Sequence, residues 1–322
     1  MSALPPHGAG QTPLELVRLA LATPAGEPGL VVAEQLSDAA DRRTRDLIDR
    51  FVHANGPAPA RFAWVALGSH ARGELHLASD QDHALLWDTR HGADSSYAAD
   101  LAADVIAGLG EFGMQPCSGH YMADQWSRSL DDWLVMLRDH IEAPTPKAVL
   151  DTDIFLDMRA LSGDLDVASA LALLRAGAQS PRLLHGLAVA ADSFGVPLTA
   201  FGRLPRDEVD LKKGGLAALV LLARLYGLQS DARGVGTLQR FAAAQEVGVL
   251  SPQISTRLRD AFQVLVDLRL RHQIDQVRTG EELSDRVAVA DLSEPHQEAL
   301  RTALRSVKEA QAVTALTFRT DL

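Results

Sequence analysis

Two short, unbroken apolar runs, Phe62–Leu67 and Ala84–Trp87, limit this fold more than any other feature of the sequence. Both are of strand length. The first ends at Gly68, and the second begins two residues after Asp82. A third candidate strand, Ile154–Met158, follows the loop Pro144-Thr145-Pro146. From about Asp166 onward no strand signal recurs, and long amphipathic patterns take over. A chain of this pattern is predicted to be α+β, with a small mixed sheet followed by an all-α bundle.

The helical patterns fall at 31–53, 97–109, 167–178, 183–194, 211–228, 255–277 and 295–313. An earlier helix is expected to start at Thr12-Pro13-Leu14-Glu15, where Thr12 can cap, Pro13 suits the first turn and Glu15 completes a capping box. The breaker Asn55-Gly56-Pro57-Ala58-Pro59 separates this helical start from the first strand. At 322 residues the chain is long for one small core. The expected division is a helical extension (1–57), a sheet-containing domain (58–165) and a helical domain (166–322).

Charge narrows the function. A formal net charge of −11 argues against a dedicated nucleic-acid binder, which needs a basic stripe to neutralise phosphates. A small phosphate-bearing ligand needs only a few local Arg and Lys residues. The single cysteine, Cys117, rules out an intramolecular disulfide and any multi-cysteine zinc site. No signal-peptide pattern opens the sequence, and no apolar run approaches the ~20 residues of a membrane helix. A cytoplasmic protein is the expectation.

Between the two apolar runs lies Ser79-Asp80-Gln81-Asp82-His83. Two Asp residues separated by one residue on a strand share a face, so Asp80 and Asp82 can hold divalent metal together. Mg2+ suits such a pair, because it takes a few carboxylates and leaves its other positions to water and phosphate oxygens; Mn2+ is an acceptable substitute. Upstream, Gly68 lets the backbone approach a phosphate, Ser69 offers a hydroxyl and an N–H, and Arg72 can contact a phosphate from the same turn.

Gly68-Ser69-His70-Ala71-Arg72-Gly73-Glu74 followed by Ser79-Asp80-Gln81-Asp82-His83-Ala84-Leu85 resembles the polymerase-β-type nucleotidyltransferase superfamily. Within it the chain is most similar to the DUF294 family, relatives of PII uridylyltransferase and glutamine synthetase adenylyltransferase. The similarity extends to Ile154-Phe155-Leu156-Asp157-Met158-Arg159, to Asp210–Leu216 and to Leu268–Gln273. It implies a nucleotidyltransferase domain followed by a helical domain assigned to substrate binding. It also implies a third carboxylate on a later strand, Asp157, as a further catalytic and metal-binding group. Where this family commonly has Glu-Gly, the present chain has His70-Ala71, which places the geometry of the phosphate turn in question.

The remaining candidates have plainer readings beside the functional ones. Lys212 and Lys213, in a Gly-containing turn before an apolar helix, can receive a triphosphate or serve as a solvated turn. His272 continues the stripe of Leu258, Phe262, Leu265 and Leu268 and reads as a core histidine. His83 should point away from both Asp residues. Cys117 and His120 lack an orienting third group, so Cys117 reads as structural. The expected activity is Mg2+-dependent transfer of a nucleoside monophosphate from an NTP to the hydroxyl of a protein or small molecule. A nucleotide-binding regulator without turnover is the alternative.

Overall fold

The computed structural model describes residues 15–24 and 26–320. The expected cap at Thr12-Pro13 lies outside them. Two helices come first, α1 (Glu15–Ala22) and α2 (Gly29–Asn55). Strand β1 (Phe62–Ala66) leads into a single helical turn, α3 (Gly68–Ala71), followed by β2 (Asp80–Gln81) and β3 (His83–Trp87). Next come α4 (Arg90–Ala93), α5 (Ser96–Phe112), β4 (Gln115–Pro116), β5 (Ser127–Ser129), α6 (Leu130–Glu142), α7 (Pro146–Phe155) and β6 (Arg159–Gly163). The rest is α8 (Ala168–Ala176), α9 (Pro181–Asp192), β7 (Glu208–Asp210), a π-helical turn at Lys212–Leu216, α10 (Ala217–Gln229), α11 (Thr237–Glu246), α12 (Pro252–Thr279), β8 (Arg286–Ala288) and α13 (Glu294–Phe318). No helix among the described residues is long and apolar enough to cross a membrane.

The main sheet has the order β5-β3-β1-β6, antiparallel except for the parallel β3–β5 pair. Its two central strands explain the unbroken apolar runs, because both faces of the sheet are covered. Trp64, Ala66, Leu85 and Trp87 face a core shared with α2, α5 and the C-terminal helices. Ala63, Val65, Leu67, Ala84 and Leu86 face a second core with Trp133, Leu137 and Phe155 of α6 and α7. The first core runs without interruption from Leu16 of α1 to Ala310 of α13. A small β7–β8 ribbon adds two strands to the helical second half, which had been expected to have none.

The expected strand at Ile154–Met158 is instead the end of a helix. Thr145 caps α7 by accepting from Ala148 N–H, and Pro146 occupies its first turn. The strand begins only at Arg159 and lies at the edge of the sheet, where Arg159-Ala160-Leu161-Ser162-Gly163 carries little apolar signal. Asp157 therefore sits in the turn between α7 and β6. The buried residues of α7 are mixed, with Asp151, Thr152 and Asp153 beside Ala148 and Phe155. Of these, Asp153 lines the site described next.

Candidate active site

The turn after β1 is set by two glycines. Gly68 and Gly73 have φ of +54° and +73°, in the region that side chains disfavour. At Gly68 space also matters, since a Cβ there would overlap the Asp82 carboxylate. Leu67 N–H donates to Asp82 C=O at 2.9 Å, tying the turn to the carboxylate strand. Ala71 is not among the residues with positive φ and sits in an ordinary helical turn. The His70-Ala71 departure therefore leaves the backbone of this turn unstrained.

His70 is buried, and its Nε2 lies 2.8 Å from Asp41 Oδ1 on α2. Arg159 binds the same carboxylate through two nitrogens, at 2.7 and 2.9 Å, and also donates to the carbonyls of Ala71 and His70. Burial alone would raise the Asp41 pKa. The hydrogen bonds from His70 and Arg159 outweigh it and hold the carboxyl well below its usual range. The turn is thereby pinned to α2 from behind.

The alternation expected of Asp80-Gln81-Asp82 holds. Gln81 is buried and donates to the carbonyls of Met114 and Ile106, at 2.8 and 3.1 Å. On the other side Asp80, Asp82 and Cys117 offer donor atoms that all lie within 4.8 Å of one another. Cys117 reaches this group because β4, just before it, pairs in parallel with β2. Burial and then the neighbouring Asp80 push the Asp82 carboxyl up to about 7. The Cys117 thiol hydrogen-bonds Asp82, and burial with the Asp82 charge pushes it up to about 12. Two carboxylates this close in a partly desolvated site, only partly offset by Lys212 and Arg72, make an environment that a divalent cation relieves. The oxygens suit Mg2+ or Mn2+, while the thiol stays a protonated donor. His83 faces away, as expected: its Nδ1 accepts from Ala123 N–H at 3.0 Å, and burial lowers its pKa to about 3.

The Asp80–Asp82 pair lines a cavity of about 370 Å³ formed by both halves of the chain. Gly68, Ser69, Arg72, Asp80 and Asp82 contribute from the sheet side, and Lys212 and Arg224 from the helical side. The far wall is apolar, made by Phe194, Leu216, Val220, Leu221, Phe262 and Val266. Lys213 does not line it; its backbone N–H is held by Asp210 and its side chain is exposed. Arg269 lines the cavity but is held by Asp285 at 2.6 and 3.0 Å. His272 is half-buried with an unpartnered Nε2, so it is not the satisfied core histidine expected. The neighbouring Gln273 is fully buried and links Leu77 N–H to Asp285.

Asp157 is corrected most. Its side chain is wholly buried, and both oxygens are taken by arginines: Arg72 at 2.5 Å, Arg240 at 2.6 Å and Arg224 at 2.5 Å. Burial would raise its pKa, but Arg224, Arg72 and Arg240 together hold it well below the carboxylate range. It is absent from the group formed by Asp80, Asp82 and Cys117 and from the cavity lining. Asp157 is thus the counter-ion of three arginines, and Arg72, expected at a phosphate, is also bound to Glu74 at 2.6 Å. Glu74 accepts in turn from the backbone and hydroxyl of Thr237 at the start of α11. The network couples the Gly68–Gly73 turn to α10 and α11. Asp153, Arg224 and Arg240 had no readable signal, because they pair with one another and with Asp157 across some 70 to 80 residues of sequence.

A mixed sheet that presents a Gly-Ser turn and an Asp-x-Asp pair to a cleft beneath a helical half is the arrangement of a nucleotidyltransferase. Residues 21–147 match the family described as "Putative nucleotidyltransferase DUF294", and residues 181–318 match the domain described as "Putative nucleotidyltransferase substrate binding domain". The chain belongs to this family of nucleotidyltransferases and carries both of its parts. No curated protein matches it.

Proposed function

We propose that the protein transfers a nucleoside monophosphate from an NTP to an acceptor hydroxyl and releases pyrophosphate. The observation that carries this reading is the placement of Asp80 and Asp82 beside the Gly68-Ser69 turn, on one wall of a cavity closed by Lys212 and an apolar helical wall. Asp80 and Asp82 would hold Mg2+ or Mn2+, which when bound neutralises charge on the triphosphate. The small residues of the turn leave room for phosphate, and Lys212 adds a positive charge across the cavity. The apolar wall suits a nucleobase, which gains by leaving water. Asp157 acts at one remove, by fixing Arg72 and Arg224 at the cavity edge. The acceptor is a protein or small molecule, since a net charge of −11 opposes nucleic acid.

The test is a thermal-shift panel of NTPs with and without Mg2+, followed by transfer from α-labelled NTPs. Metal-dependent stabilisation and labelled product that both vanish in Asp82→Asn support the reading. Full transfer by Asp82→Asn would overturn it.

A further inference from the structure

Asp153 lies where two cavities meet. Besides the 370 Å³ cavity, a groove of about 740 Å³ runs between α7 and α9, and Leu150, Asp153, Phe194 and Leu221 line both. The groove walls are largely apolar, with Val149, Val189 and Ala190 among them. Asp153 is 3% exposed. Its Oδ2 is bound by Arg224 Nη1, while its Oδ1 is buried without any hydrogen-bond partner. A buried, unpartnered carboxylate oxygen carries a free-energy penalty that an incoming donor would remove.

We propose that Asp153 Oδ1 accepts the proton of the attacking acceptor hydroxyl, with the acceptor entering from the α7–α9 groove. This rests on the nucleotidyl-transfer reading. In the step, the acceptor oxygen forms a bond to the α-phosphorus and the bond from that phosphorus to the β-phosphate oxygen breaks. Pyrophosphate leaves with that electron pair, and the hydroxyl proton passes to Asp153. Asp153 fits because it alone among the cavity carboxylates also lines the groove. Asp157 has no free oxygen for the role.

The charged groups facing Asp153 are Arg224 from α10, Arg240 from α11, Arg72 from the phosphate turn, and Asp157 just beyond its own helix. Burial, the largest influence, pushes its carboxyl up to about 6; Asp157 adds to the rise and the arginines oppose it. A base in that range is ionised at neutral pH and still takes a proton readily.

The test uses full-length wild type, Asp153→Asn, Asp153→Glu and Asp82→Asn. Two quantities are followed from pH 5 to 9 with Mg2+: binding of a non-hydrolysable NTP analogue, and pyrophosphate release from the four NTPs with water as the acceptor. Wild-type release should fall on the acid side near pH 6 while analogue binding persists. Asp153→Asn should bind the analogue within about twofold of wild type, release pyrophosphate about 100-fold more slowly and lose the acid limb. Asp153→Glu, which keeps a carboxylate, should recover part of the rate and the limb. An unchanged rate and limb in Asp153→Asn would overturn the proposal. So would equal loss of analogue binding in both Asp153 variants, which marks a structural role. Failure of the nucleotidyl-transfer reading looks different, because wild type itself would neither bind nor turn over any NTP.

Discussion

Gly68 and Asp82 approach so closely that residue 68 has no room for a side chain: a Cβ would sit within 3.0 Å of Asp82 Cγ and overlap its Oδ2. The Gly68–Gly73 turn and the carboxylate pair are thus one unit, joined also by the Leu67–Asp82 backbone hydrogen bond. Gly68→Ala must both adopt a left-handed φ, at a cost of about 1 kcal/mol, and displace Asp82. It should fold with a modestly lowered Tm and lose the Mg2+-dependent stabilisation by NTPs. Thermal shift with and without Mg2+ checks both.

Asp82→Asn separates folding from function. The folded-state carboxyl lies near 7, above its ordinary value of about 3.9, so ionising Asp82 opposes folding. That cost is absent below about pH 4 and complete above about pH 7. In EDTA, wild type should therefore lose Tm relative to Asp82→Asn between pH 5 and pH 8. Mg2+ should raise the wild-type Tm at pH 8 and leave the variant unchanged. Parallel Tm profiles for the two proteins in EDTA would refute the assignment.

Asp157→Ala leaves Arg72, Arg224 and Arg240 without their shared counter-ion in a buried site. Removing one member of such a cluster costs about 3–5 kcal/mol. Urea denaturation should show that loss. The Asp157 pKa is depressed, so its contribution is present at pH 7 and declines as pH falls below the ordinary carboxylate range. The gap between wild type and variant should accordingly narrow in acid.

His70→Glu should destabilise this chain. It would set a second carboxylate against Asp41, with Arg159 as the bidentate countercharge for both. Asp41→Asn in the same background should recover part of the loss, giving a nonzero coupling energy in a double-mutant cycle. Additive losses measured by denaturation would show that the two side chains do not interact.

Several features of the fold are legible in the sequence. The helical patterns from Tyr97 and from Pro295 correspond to α5 and α13, and the run from Ser255 to α12, because each keeps one apolar face over several turns. The runs Phe62–Leu67 and Ala84–Trp87 became the central strands because both of their faces are buried. The β6 strand was missed for the opposite reason, since an edge strand needs few apolar residues. Helix α7 stands where a loop and a strand are expected, although Thr145-Pro146 carries an ordinary helix-start signal.

By itself, the sequence determined the two central strands, the Gly-Ser turn and Asp-x-Asp pair at their ends, and the longest helices. Those depend on residue types at short spacing and on local periodicity. Only the tertiary structure decided which charges the unit works with. It gave Asp157 to three arginines, brought Cys117 to Asp82 through β4, and set Asp153 at the junction of two cavities. The fate of a buried charge depends on which partners folding brings within about 3 Å, and no local spacing encodes partners that far along the chain.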